Sequence, residues 1–77
     1  MEPVKVFSKS DVAGTPLPFR FIWKGKEYQI ISTGRQWEDT QGQHFLVMVP
    51  GDRVLELIFD PQGRWFLDQP GPNRTAI

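Results

Sequence analysis

The chain contains no cysteine and only one histidine, His44. The absence of cysteine excludes disulfide bonds, thiolate zinc sites and cysteine nucleophiles. A metal site would have to combine a single imidazole with carboxylates, and the sequence shows no tight carboxylate cluster to complete it. We therefore predict neither a metal site nor any other cofactor.

Long apolar runs and an excess of either charge are also missing. No segment approaches the roughly 20 apolar residues that a transmembrane helix requires, and the opening "MEPVKVF" lacks the features of a secretory signal. Nine basic and nine acidic residues give a formal net charge of +0, which weakens any case for binding through many phosphate contacts. These absences predict a cytoplasmic protein that does not contact membranes.

The charges are unevenly distributed between the two halves of the chain. Residues 1–36 carry six basic and three acidic side chains, whereas residues 37–77 carry three basic and six acidic ones. The favoured interpretation is that the halves neutralise each other in the folded protein. The alternative is a basic face for an anionic partner.

Aromatic residues supply what the missing cross-links do not, since 13% of the 77 residues are Phe, Trp or Tyr. Apolar and polar side chains alternate with a period of two along most of the chain, which indicates strands. We predict one small β domain over residues 1–69. The segment 70–77 is predicted to be a disordered tail, because it is rich in proline and has little to bury.

The first half predicts one strand, one loop and one hairpin. Pro3–Phe7 reads as a strand, and residues 8–18, dense in Ser, Gly and Pro, read as a surface loop. In "FRFIWKGKEYQII" we predict a hairpin with a two-residue loop at Gly25 and Lys26. The ladder pairs of that register are Trp23 with Tyr28, Phe21 with Ile30, and Phe19 with Ser32.

The second half continues the same strand rhythm. Gly34 predicts a bulge or bend in a long strand that ends near Trp37. Residues 38–43 read as a polar loop, and "HFLVMV" (44–49) is apolar on both faces, as in a central strand covered on each side.

Two turns follow. Residues 50–52 form a turn typical of type II, but the sequence leaves open how the strands on either side of it, 44–49 and 53–59, are aligned. "DPQG" (60–63) predicts a three-residue hairpin loop that pairs Phe59 with Trp65 and Leu57 with Leu67.

Strands joined by short turns predict an all-β fold, a five-stranded antiparallel meander curled into a small SH3-like half-barrel. The alternative is an open sheet. An open sheet would leave a large aromatic face in water and would need a partner to cover it.

The order of "EPVKVF", "PFRFIWKGKEYQI", Trp37, an apolar strand and "LIFDPQGRWFL" resembles a family of short uncharacterised bacterial proteins. That family is similar to the C-terminal region of Y-family translesion polymerase-like proteins. The strand 44–49 departs from the family pattern, because it lacks the aromatic and arginine residues found there. The resemblance implies a small β fold and an accessory role in DNA-damage tolerance. The residues that carry the ending of the motif are Phe59, Asp60, Gly63, Trp65, Phe66 and Leu67.

None of the titratable residues suggests catalysis. Acid–base chemistry needs two titratable groups held close together, and here the acids fall mainly at turns and strand ends. We interpret Asp60 as a turn former, Glu56 as a residue on the solvent side of its strand, and His44 as a surface or edge residue. The chain is therefore predicted not to be an enzyme.

Two binding functions remain. The favoured one is a protein-interaction module that binds either an unknown protein partner or a second copy of itself. The chain is accordingly predicted to be a monomer or a weak homodimer. The alternative is weak binding of single-stranded nucleic acid by Arg20, Lys24 and Arg35, with bases stacked on Trp37 or Trp65 if either ring lies exposed beside Arg35 or Arg64. The candidate binding residues are Arg20, Lys24, Arg35, Trp37, Arg64 and Trp65.

Overall fold

The computed structural model describes residues 2–69, and within them every regular element is a β-strand. No helix in this part of the chain is long and apolar enough to cross a membrane. The predicted tail at 70–77 lies outside the described residues. The strands are β1 (Glu2–Pro3), β2 (Lys5–Ser10), β3 (Pro16–Trp23), β4 (Lys26–Gln29), β5 (Ser32–Asp39), β6 (Gly42–Val49), β7 (Arg53–Phe59) and β8 (Trp65–Asp68).

The strands form two antiparallel sheets, one of five strands in the order β1-β8-β7-β6-β5 and one of three in the order β2-β3-β4. Two segments are shared between the sheets. Residues 2–10 supply β1 and β2, and residues 26–39 supply β4 and β5. Neither sheet closes into a barrel. The predicted fold class, an all-β, antiparallel, curled half-barrel, is confirmed.

The core lies between the two sheets, and alternate residues of β3, β6 and β7 point into it. Trp23 is tied across the core, because its indole N–H donates to the carboxylate of Glu2 at 3.0 Å. This bond links β3 of the small sheet to β1 of the large one. The buried cluster consists of Phe21, Trp23, Phe45, Val47, Val49, Leu55, Leu57 and Leu67.

The predicted loop at 8–18 is wrong, because its two ends are paired strands. Ser8 pairs with Pro18 and Ser10 with Pro16, which leaves only residues 11–15 as a turn. The Asp11 carboxylate closes that turn by accepting the backbone N–H groups of residues 13 and 15, at 2.8 and 2.9 Å. Pro16 is the first residue of β3, and Pro18 lies beside the register shift between Phe7 and Ser8, two positions at which a sheet tolerates proline.

The predicted register of the first hairpin is also wrong. The loop consists of Lys24 and Gly25, which both have positive φ (52° and 75°) as a type I′ turn requires. Phe21 therefore pairs with Tyr28, and Trp23 with Lys26. The aromatic contacts survive the shift, because the Phe21 and Tyr28 rings stack at 5.1 Å and Trp23 contacts Tyr28 diagonally at 6.0 Å.

The second half follows the predictions more closely. The β5–β6 ladder shifts register between Thr33 and Gln36, which confirms the bulge at Gly34. Phe59 pairs with Trp65 and Leu57 with Leu67, as the "DPQG" loop predicts.

Three other features of this half differ from the predictions or complete them. The predicted loop 38–43 shrinks to two residues, because β5 runs to Asp39 and β6 begins at Gly42. Val49 faces Arg53 across the turn 50–52, which settles the register that the sequence left open. Met48, on the outer face of β6, is 38% exposed, so this central strand is not covered on both sides.

We expect Gly42→Ala to destabilise the fold by about 2–4 kcal/mol, enough to unfold much of a domain this small. Gly42 has φ +135°, and a Cβ there would collide with the backbone carbonyl of Phe59. The matched control is Gly34→Ala, whose Cβ would lie 3.8 Å from the Leu46 carbonyl. Urea unfolding followed by tryptophan fluorescence compares the two. Equal losses in both variants would contradict this account.

Candidate functional site

The predicted binding residues do not form one site, and only Arg35 and Trp37 lie together. Both occur on β5, where the Arg35 guanidinium lies 5.3 Å from the centre of the Trp37 ring. Arg20 belongs to the other sheet. There it forms an ion pair with Glu27 at 3.3 Å and lies 4.2 Å from the centre of the Phe7 ring.

The other three predicted residues lie apart from that pair. Lys24 is at the tip of the first hairpin, 5.0 Å from the centre of the Trp23 ring. Arg64 forms an ion pair with Asp60 at 2.9 Å and lies over Phe66. Trp65 is half-buried, like Trp37, and packs against Phe45 and Phe59, with ring centres 5.7 and 4.8 Å away.

Asp60 shapes the loop that carries Arg64, as predicted. Its carboxylate accepts the backbone N–H groups of Gln62 and Arg64, at 3.0 and 2.7 Å. Burial acts to raise the pKa of Asp60, but the hydrogen bonds and the charge of Arg64 outweigh burial and lower it. The loop is thus stabilised by the ionised form of its first residue.

The predictions for His44 and Glu56 are wrong, because both side chains are buried, at 3% and 5% exposure. They lie on the face of the five-stranded sheet that points away from the core. His44 Nδ1 is 2.7 Å from a carboxylate oxygen of Glu56, and Nε2 is 2.8 Å from one of Asp39. Strand pairing explains the burial of His44, because the residue lies opposite Trp37 of β5 on one side and Ile58 of β7 on the other.

The contacts of His44 favour its charged form. Carboxylate oxygens accept hydrogen bonds, so two such partners favour an imidazole in which both ring nitrogens carry a proton. Burial alone would lower the pKa of His44, but the hydrogen bonds to Glu56 and Asp39 and their negative charges raise it above 6.5. The hydrogen bond from His44 and the backbone N–H of Gln41 lower the pKa of Asp39.

The buried imidazole ring of His44 packs against the Trp37 ring. The two rings are stacked, with centres 4.9 Å apart and planes within 8°. Both nitrogens of His44 are occupied, so the ring is poorly placed to take a proton from a substrate. Among residues 2–69, no group of three or more His, Cys, Asp or Glu side chains is arranged to hold a metal ion.

We call the outer patch formed by Arg35, Trp37, Asp39, His44 and Leu46 the Trp37 surface. Trp37 and Leu46 are half-buried, whereas Arg35 and Asp39 are exposed. It presents one flat aromatic ring, flanked by a basic and an acidic group, above a buried charged base.

Sequence reasoning missed Asp39, His44 and Glu56 because each was judged within its own segment. The feature that could have identified them is the alternation of side chains between the two faces of each strand. Once the strands 44–49 and 53–59 are paired across the turn 50–52, His44 and Glu56 fall on the same face two rungs apart. The alternating pattern left the register of that turn open.

The raised pKa of His44 predicts a specific pH dependence of stability. A group whose pKa is higher in the folded protein stabilises it below the unfolded value, and this contribution is lost as pH rises through the folded value. We expect the unfolding free energy to fall as pH increases above 6.5, the ordinary pKa of histidine. Urea titrations between about pH 5.5 and pH 8.5 measure this slope.

His44→Gln is the control for this slope, because glutamine keeps polar atoms at the site but does not titrate in this range. The variant should lose most of the pH dependence. If its slope equals that of the wild type, another group is responsible.

Comparisons with known proteins connect this chain to none of them: no family model, no curated protein and no solved structure matches it. The resemblance to the C-terminal region of Y-family polymerase-like proteins therefore stays a prediction.

Proposed function

We propose that this chain is a non-catalytic module that binds another protein through the Trp37 surface. The observation that favours this most is that two side chains pack against the Trp37 ring, His44 with its ring centre 4.9 Å away and Arg35 with its guanidinium 5.3 Å away. A large ring held in one orientation loses little conformational entropy on binding. Tryptophan and arginine are also the residues most enriched among those that dominate binding energy.

The charges around the ring favour a protein over a nucleic acid. Asp39 lies two residues after Trp37 on the same face of β5 and is exposed, whereas Glu38 points to the opposite face. The Asp39 carboxylate would repel a phosphate backbone passing over the ring, whereas a protein partner can present complementary groups of either sign. The formal net charge of +0 points the same way.

Weak binding of single-stranded nucleic acid is the second candidate, and one contact favours it. Trp37 is partly exposed beside Arg35, which is the arrangement that base stacking over a basic groove requires. Arg20 and Lys24 would have to guide the strand from the other sheet.

The predicted resemblance gives the proposal a biological setting. It would make the module an accessory part of bacterial DNA-damage tolerance, acting in the cytoplasm. We also propose that the fold is SH3-like, since small curled sheets of that type commonly present one aromatic patch to a partner.

A photo-crosslinking residue at position 37 tests the protein-binding proposal in cells of the source organism. We expect discrete adducts with one or a few proteins at position 37 and not at position 24, on the distant hairpin tip. Mass spectrometry separates a foreign partner from a second copy, which adds 8.9 kDa. The absence of any adduct at position 37, or the same adducts at both positions, would count against the proposal.

With the purified partner, Trp37→Ala should weaken binding by about 30-fold, as expected for loss of about 2 kcal/mol at a central residue. Phe19→Ala is the matched control, because Phe19 is also an exposed aromatic, at 38%, but belongs to the other sheet. Equal effects of both substitutions would show that the contact lies elsewhere.

Titration with a single-stranded oligonucleotide at low salt separates the second candidate from the first. We expect tryptophan fluorescence to stay unchanged at micromolar strand, because the Asp39 carboxylate lies beside the ring and offsets the charge of Arg35. Quenching in the wild type that Arg35→Glu abolishes would instead support nucleic-acid binding.

A further inference from the structure

Strand β5 is the edge of the five-stranded sheet and is open to solvent. It pairs with β6 on one side, and along residues 34–39 its other side pairs with no strand of the described chain. Every residue of β5 is exposed except Trp37, which is half-buried. A strand edge of this kind offers backbone N–H and C=O groups to another strand.

We infer that a second copy of this chain binds this edge, with β5 pairing antiparallel to β5 about a two-fold axis through Trp37. This inference rests on the proposed function, since it names a partner for the same surface. It joins two five-stranded sheets into one continuous sheet. A two-fold arrangement of this type is the commonest form of self-association.

The register follows from the pleat and the charges. In an antiparallel pair, facing residues share a side of the sheet only if the two-fold axis passes through a residue. An axis through Arg35, Glu38 or Asp39 would oppose two like charges, which is destabilising. An axis through Gln36 would leave both acidic residues without a basic partner.

An axis through Trp37 satisfies both conditions. It places Arg35 opposite Asp39 of the second copy, twice, and Gln36 opposite Glu38. Arg35 forms no ion pair within residues 2–69, where its guanidinium contacts only the Trp37 ring. The side chain of Asp39 is 46% exposed while it holds His44, so it remains accessible to a second cation.

The Trp37 rings would meet at the centre of the pair. Facing side chains in antiparallel strands have Cβ atoms about 4.5–5.5 Å apart, within reach of aromatic stacking. The register shift of β5 spans Gly34 and Arg35, so regular pairing with β6 runs from Gln36 to Asp39, and Arg35 lies at the irregular end of the stretch that would pair with the second copy. A contact this short falls below the roughly 1,200 Å² of a stable interface, so the dimer is weak and reversible.

Sedimentation equilibrium of the full chain between about 10 µM and about 1 mM tests the inference. We expect the mass to rise from 8.9 kDa towards twice that value. Arg35→Glu should raise the dissociation constant at least about tenfold, because it opposes two acidic pairs. Lys24→Glu, the same charge change on the hairpin tip, should leave it unchanged.

A charge exchange provides the decisive arm. Asp39→Arg should also fail to dimerise, because it opposes arginines, but an equimolar mixture with Arg35→Glu restores attraction at both ends and should form a heterodimer. Thermal unfolding checks that each variant is folded. A monomeric mass up to about 1 mM, or a dimer insensitive to Arg35→Glu, overturns the inference.

These outcomes are distinguishable from failure of the proposed function. A strictly monomeric chain that still forms adducts with a foreign protein at position 37 loses only the dimer. A chain that dimerises as described but forms no foreign adduct keeps the inference and narrows the proposed function to self-association.

Discussion

The fold depends on two chain segments that each serve two sheets. Residues 2–10 and 26–39 leave one sheet and enter the other, and backbone hydrogen bonds continue through the crossings. Ile30 donates to Phe19 at 3.1 Å and Ile31 to Met48 at 2.8 Å. The chain has no disulfide, so the two sheets are held together by these continuous segments and by the aromatic core that fills the space between them.

The outer face of the large sheet has a different kind of interior. There the imidazole of His44 lies between two carboxylates and beneath an indole ring, with almost no exposure to water. Burying a charge is costly unless it is paired and hydrogen-bonded, and here both ring nitrogens have an acceptor. The arrangement adds little hydrophobic stability.

The open edge of the large sheet and its outer face meet at Trp37, so the two edges of this sheet differ. The opposite edge of the large sheet, β1, has only two residues and continues at once into the small sheet. The long exposed edge is β5, and its central residue is the one aromatic side chain that the buried charges support. A surface that combines open backbone groups, a rigid ring and charges of both signs is suited to a specific contact.

Much of the fold could be predicted, and the reason is local. The turn at 60–63 contains Asp, Pro and Gly at positions that admit one hairpin register, so the pairs Phe59–Trp65 and Leu57–Leu67 follow from neighbouring residues alone. The first hairpin was harder, because Lys24 adopts positive φ beside Gly25, and the aromatic side chains make contacts in either register. Local pattern could not decide between two registers of similar quality.

The candidate site was less predictable for a physical reason. Trp37 and Arg35 could be selected by residue type, but the burial of His44 and Glu56 depends on how three separate strands are aligned. By itself the sequence determined the strand rhythm, the turn at 60–63, the bulge at Gly34 and the absence of cross-links. Only the tertiary structure decided which charges are buried and which strand edge stays open, because both are set by pairing between residues distant in the chain.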